Sequence, residues 1–100
     1  MANDVSMNIQ LAGFGKIDSS SMIVVNNNIK KHARRIEELA EKTANLHITL
    51  KLVHERERSE IYEIRVKVTD GGKIYASHAS GRNLFIAIDK ALQKVINEMD

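Results

Sequence analysis

The hundred-residue chain has no cysteine, no proline and no tryptophan. Without cysteine there is no disulfide framework, no thiolate zinc site and no cysteine nucleophile. Aromatic residues are limited to Phe14, Tyr62, Tyr75 and Phe85, too few to grip a partner mainly by ring stacking. No apolar run approaches the roughly 20 residues that span a bilayer, so no membrane partner is expected. The start, Met1-Ala2-Asn3-Asp4, lacks the basic-then-apolar pattern of a secretory signal, and the expected compartment is the cytoplasm. Charge of one sign is scarce as well. Fifteen Lys and Arg stand against 13 Asp and Glu, a net charge of +2, and this total does not identify a nucleic-acid binder. The question is whether the cations gather on one face.

What is present suffices for a core. Hydrophobic residues make up 43% of the chain, and its length predicts one domain over residues 1–100, since a domain takes roughly 100–200 residues. Val5, Met7, Ile9 and Leu11 alternate with polar residues, the period of a half-buried strand, which stops at Gly13-Phe14-Gly15. Asp18-Ser19-Ser20-Ser21 offers helix caps. Met22, Val25, Ile29, Ala33, Ile36 and Ala40 then fall at helical spacing. The run predicts a helix from about Ser20 to Thr43. The triplet Asn26-Asn27-Asn28 opposes it, because asparagine side chains compete for backbone groups; the alternative is a helix that begins near Asn28.

Leu46, Ile48, Leu50 and Leu52 alternate with His47, Thr49, Lys51 and Val53 as a second strand. The charged segment 54–60 reads as an exposed hairpin loop, either alone or with strand ends running into it. Tyr62, Ile64, Val66 and Val68 mark a third strand, and Asp70-Gly71-Gly72 a tight turn. Lys73 to His78 forms a fourth strand, with Ile74 and Ala76 expected to face inward and Tyr75 outward. Asn83 caps a last helix whose stripe is Leu84, Ile88, Ala91 or Leu92, Val95 and Met99. This is an α+β pattern of order β-α-β-β-β-α. Mutual covering of apolar faces predicts a four-stranded sheet with both helices on one side. The first two strands, joined through a helix, are expected to be parallel. The other sheet face is left to solvent with mixed charge at Lys51, Glu63, Arg65 and Lys67.

The densest cluster of one sign is Lys30, Lys31, Arg34 and Arg35, four cations in six residues with His32 among them. Helical spacing sets Lys31, Arg34 and Arg35 opposite the apolar stripe, with Lys30 at one margin. Lys90 and Lys94 lie one turn apart on the last helix, and Arg82 just precedes it. Two neighbouring helices are thus expected to present a basic surface that tracks a phosphate backbone. The plainer reading, ordinary solvated helix faces, is favoured on these residues alone. The four histidines show no ligand spacing supported by carboxylates, so no metal is expected. No catalytic constellation appears, and no enzyme or cofactor is expected. Gly13-Phe14-Gly15 lacks the third glycine and the Gly-Lys-Ser/Thr of a P-loop and reads as a turn.

Several segments, taken in order, carry a resemblance. They are Met7-Asn8-Ile9-Gln10-Leu11-Ala12-Gly13, Ile17-Asp18-Ser19, Lys51, Tyr62-Glu63-Ile64-Arg65-Val66, Gly71-Gly72-Lys73-Ile74-Tyr75-Ala76, and Phe85-Ile86-Ala87-Ile88-Asp89 with Lys94-Val95. Over Met7 to Met99 the chain resembles the ribosome hibernation-promoting factor and ribosome-associated inhibitor family. The resemblance implies a fold like that of a double-stranded-RNA-binding domain. It also implies binding to the small ribosomal subunit and its rRNA near the decoding region, which silences ribosomes in starved or stationary cells. By matching position, the family's basic residues fall on Arg35 and, beside it, His32 on the first helix, on Lys94 on the second, and on Lys51 in the second strand.

Departures stand beside the matches. The segment between Gly13 and Leu46 is about one helical turn longer, Asn97 stands where a basic residue is common, and the chain ends at Asp100 without a basic tail. No second, ribosome-pairing domain is expected, as in a short form or an amino-terminal fragment of a longer relative. A competing reading is a small interaction module that dimerises through its open sheet face or an edge strand, without RNA.

Overall fold

A computed structural model describes residues 7–56 and 59–100 of the chain, and of residues 54–56 and 59 only the backbone. The order is β1 (Asn8–Ala12), α1 (Ser19–Leu39), β2 (Ala44–Arg56), β3 (Ser59–Asp70), β4 (Lys73–Gly81) and α2 (Leu84–Met99). The four strands form one sheet in sequence order. β1 runs parallel to β2, with Leu11 beside Ile48, and the other two pairings are antiparallel. This is the α+β architecture that the sequence pattern predicts. Val5 and the side chains of the predicted loop 54–60 up to Ser59 lie outside the described residues; strand ends do run into that hairpin, β2 to Arg56 and β3 from Ser59.

The core is built by parity and helical period together. Leu46, Ile48 and Leu50 of β2, Ile64, Val66 and Val68 of β3, and Ala79 of β4 are buried on one sheet face. Against them pack Val25, Ile29, Ala33 and Ile36 of α1 and Leu84, Ile88, Ala91, Leu92 and Val95 of α2. Removing that apolar area from water stabilises the fold at about 25 cal/mol per Å². Among the described residues nothing covers the opposite sheet face.

α1 runs unbroken through the asparagine triplet. Asn26 and Asn27 are exposed while the flanking Val25 and Ile29 are buried, so tertiary packing overrides local preference. Asp18 is the N-cap: its Oδ2 accepts from the Ser21 amide at 3.0 Å and its Oδ1 from the Ser21 hydroxyl at 2.8 Å. The helix ends four residues before the predicted Thr43. The buried carboxylate of Asp70 explains why. It accepts from the amides of Glu41 at 2.8 Å and Lys42 at 2.7 Å, which in a longer helix would bond carbonyls four residues back.

The inward and outward faces of β4 are the reverse of those predicted. Ile74 is 65% exposed and Ala76 is exposed, whereas Tyr75, Ser77 and Ala79 turn toward the helices. The Gly71-Gly72 turn decides this by setting Asp70 opposite Lys73, which places Tyr75 beside Val68 and Ser77 beside Val66. Gly71 supplies the positive φ, +64°, at the first central position. Ser77 is accommodated inside because its hydroxyl donates to the Ala91 carbonyl at 2.6 Å. At the end of β1, Gly13 has φ +85°, and a Cβ there would strike the Leu50 carbonyl oxygen. Only glycine fits.

Candidate nucleic-acid interface

The cations of α1 divide by position around its axis. With 3.6 residues per turn, Lys31 and Arg34 face outward, away from the buried Val25, Ile29 and Ala33. Lys30 lies on the flank away from α2. All three are exposed and make no ion pair among the described residues. Arg35 lies on the flank that meets α2 and is already engaged. Its guanidinium is 3.3 Å from Glu38 Oε1 and 3.6 Å from Asp100 Oδ2.

His32 does not join the exposed cluster with which it was predicted. It is 8% exposed and sits in the seam between the helices. Its Nδ1 is 2.9 Å from the Asn28 carbonyl and its Nε2 is 3.1 Å from Asp89 Oδ1. Both ring nitrogens are occupied within the protein, leaving none for a phosphate.

On α2, Asp89 and Asp100 mark the flank toward α1, and helical spacing puts Lys90 and Lys94 on the other flank, toward β4. Lys94 Nζ donates to the His78 carbonyl at 3.0 Å, while Lys90 is exposed. The predicted single strip shared by both helices is therefore not what forms. Asp89 and Asp100 border the seam, Glu38 stands on the outward face of α1 one turn past Arg34 and pairs with Arg35, and the two cation groups diverge from the seam. Lys51 is further removed. It pairs in register with Glu63 and points out of the uncovered sheet face, on the opposite side of the molecule from Lys31 and Arg34.

Arg82 is exposed at a cleft of ≈ 420 Å³ where both helices begin, together with Lys16, Asp18, Asn83 and Phe85. Asp18 brings negative charge there: the Ser21 amide, and then its hydroxyl, hold the carboxyl below its usual 3.8. Among the described residues no group of His, Asp and Glu could hold a metal ion. No described helix is long and apolar enough to cross a membrane. Two cations expected only as part of a mixed-charge surface, Arg65 and Lys67, are exposed on the uncovered sheet face. Their shared parity with each other on β3, and with Lys51 across the β2–β3 pair, was the available sequence signal.

No protein-family model and no curated protein sequence matches the chain. Solved structures do. The N-terminal domain of Protein Y from Thermus thermophilus superposes with a TM-score of 0.69 over 93% of each chain at 13% identity. A ribosomal subunit interface protein from Coxiella burnetii superposes with a TM-score of 0.64, again over 93% of each chain, at 14% identity. At these identities the likeness is one of fold.

Proposed function

We propose that the chain binds the small ribosomal subunit through its rRNA, near the decoding region, and holds ribosomes inactive in starved or stationary cells. The observation that carries this reading is the outward face of α1. There Lys31 and Arg34, with Lys30 on the adjoining flank, stand exposed without ion pairs among the described residues, on a fold shared with a ribosomal subunit interface protein. Lys90 and Arg82 add exposed charge on the same layer, Lys94 stands beside β4, and Arg35 contributes what Glu38 and Asp100 leave over. Each phosphate neutralised by such a cation releases condensed counterions. Folded RNA is recognised largely through shape and backbone, so a rigid layer of two helices suffices without aromatic stacking. The work is that of a cytoplasmic, noncatalytic plug, with no cofactor and no small-molecule substrate.

The test is cosedimentation with purified small subunits. The unaltered chain cosediments in low salt and is released as salt rises, whereas K30E/K31E/R34E, folded by circular dichroism, stays at the top of the gradient. Equal cosedimentation of the two proteins overturns the assignment. A salt-insensitive dimer indifferent to ribosomes supports the interaction module instead.

A further inference from the structure

The sheet face turned away from the helices takes no part in that proposal, yet its chemistry is specific. Strand register arranges it in rows: Gln10, His47, Lys67 and Ala76 in one, then Ala12, Thr49, Arg65 and His78, then Lys51, Glu63 and Ser80. Lys51, Arg65 and Lys67 make no ion pair among the described residues. Glu63 is the one acid that register places on the described part of this face, and it is half-buried. A shallow depression of ≈ 380 Å³ lies over the middle rows, lined by His47, Thr49, Arg65, Lys67 and His78 without any carboxylate. Positive charge also continues around the β4 edge. Lys94 reaches from α2 to the carbonyl of His78, with two of its three donor hydrogens left over, and Lys90 lies one turn before it.

We infer that this face is a second RNA-binding surface, taking the phosphodiester backbone of a single strand along a path from Lys94 over His78 to Arg65 and Lys67. The geometry suits a repeating anion. Same-face residues along a strand are about 6.8 Å apart and neighbouring strands about 4.8 Å, a grid comparable in pitch to successive phosphates of an extended strand. The donors beside the cations, Thr49, Thr69, Asn45 and Gln10, are the side-chain types that contact phosphate and sugar.

Two features argue against a protein partner. A protein interface draws its affinity from buried aromatic and apolar anchors, and among the described residues this face has one large exposed apolar side chain, Ile74, one row away from the depression. Both tyrosines turn to the helix side. Bases would have no ring to stack on, so recognition is of backbone and independent of sequence. The choice of RNA as the polyanion rests on the function proposed above; the anion-binding face itself does not.

The experiment is fluorescence anisotropy of a short labelled oligouridylate titrated with the full chain over a range of salt. Amide chemical shifts of the unaltered protein are followed with the same RNA. R65E/K67E is expected to weaken binding about tenfold or more. R65Q/K67Q, which avoids reversed charge, is expected to flatten the slope of log affinity against log salt by about 1.4, two single-strand phosphate contacts. The amides of His47, Thr49, Arg65, Lys67 and His78 should shift together. Parental affinity in R65Q/K67Q, or shifts confined to α1, overturns the inference. Equal competition by polyglutamate overturns RNA as the partner. Loss of sheet-face binding in R65Q/K67Q alongside unaltered cosedimentation of K30E/K31E/R34E supports this surface while it defeats the α1 reading.

Discussion

His32 and Asp89 tie the two helices together at the surface of the core, Nε2 lying 3.1 Å from Oδ1. The other ring nitrogen faces the Asn28 carbonyl at 2.9 Å. Both partners are acceptors, so a ring hydrogen on either nitrogen finds one within the protein. The pair is an interhelical clasp, and it removes His32 from any external ligand.

Asp89→Ala is expected to cost about 1 kcal/mol, the range of a single net hydrogen bond, held down because the Asp89 side chain is 60% exposed. Urea denaturation of D89A, H32Q and the double variant measures the coupling. H32Q should lose stability while the salt slope of its RNA binding stays that of the unaltered chain; a shallower slope would return His32 to the binding surface.

Asp70 joins the end of β3 to the start of β2. Its carboxylate is 3% exposed and bonds two consecutive amides, Glu41 and Lys42. Asp70→Ala removes both acceptors and is expected to cost about 2–3 kcal/mol. Asp70→Asn should cost nearly as much, because one amide then meets an NH₂ group. Equilibrium unfolding reads both, and a loss under 0.5 kcal/mol, the ordinary scale of a surface substitution, would show that water replaces Asp70 there.

The Asp18 cap sets an acid-side pH dependence. Its carboxyl is held below 3.8 in the folded chain by the Ser21 amide and then by the Ser21 hydroxyl. A depressed folded pKa gives stability that is fully present above the unfolded value and is lost as pH falls through the folded one. Melting curves should find Asp18→Ala less stable than the unaltered chain by a constant margin at neutral pH. That margin should narrow below about pH 4, where the free carboxyl protonates. Lys73 behaves in the opposite sense. The Glu41 hydrogen bond, and then its charge, raise its pKa above 10.5, so its contribution is full below that value and fades as pH climbs through the folded one.

The faces of β4 can be read out by substitution. Ile74→Thr changes an exposed position and should leave stability within about 0.5 kcal/mol. Ala79→Asp places a carboxylate in the core beside Ile64 and should unfold the chain or cost at least 3 kcal/mol, the order of an unpaired buried charge. The reverse ranking in thermal melts would restore Ile74 to the interior.

Periodicity in the chain determined much by itself. Strict alternation in Leu46–Leu52 and Tyr62–Val68, helical spacing in Met22–Ile36 and Leu84–Met99, and the Gly71-Gly72 turn specify element types, their order and the single covered sheet face. The reason is that period and turn chemistry are local properties, and each buried stripe admits one sensible neighbour. Contacts distant in sequence decided the rest. Only tertiary structure reveals that Asp70 ends α1 from 28 residues away, or that register turns Tyr75 inward where side-chain hydrophobicity favours Ile74. The cations follow the same division. Their clustering at 30–35 is legible as sequence, but their availability depends on what the fold sets beside them. Folding pairs Arg35 with Glu38 and Asp100, buries His32 against Asp89, and places Lys51, Arg65 and Lys67 together on the far side of the sheet. Charge is a property of a residue, whereas a charged surface is a property of packing.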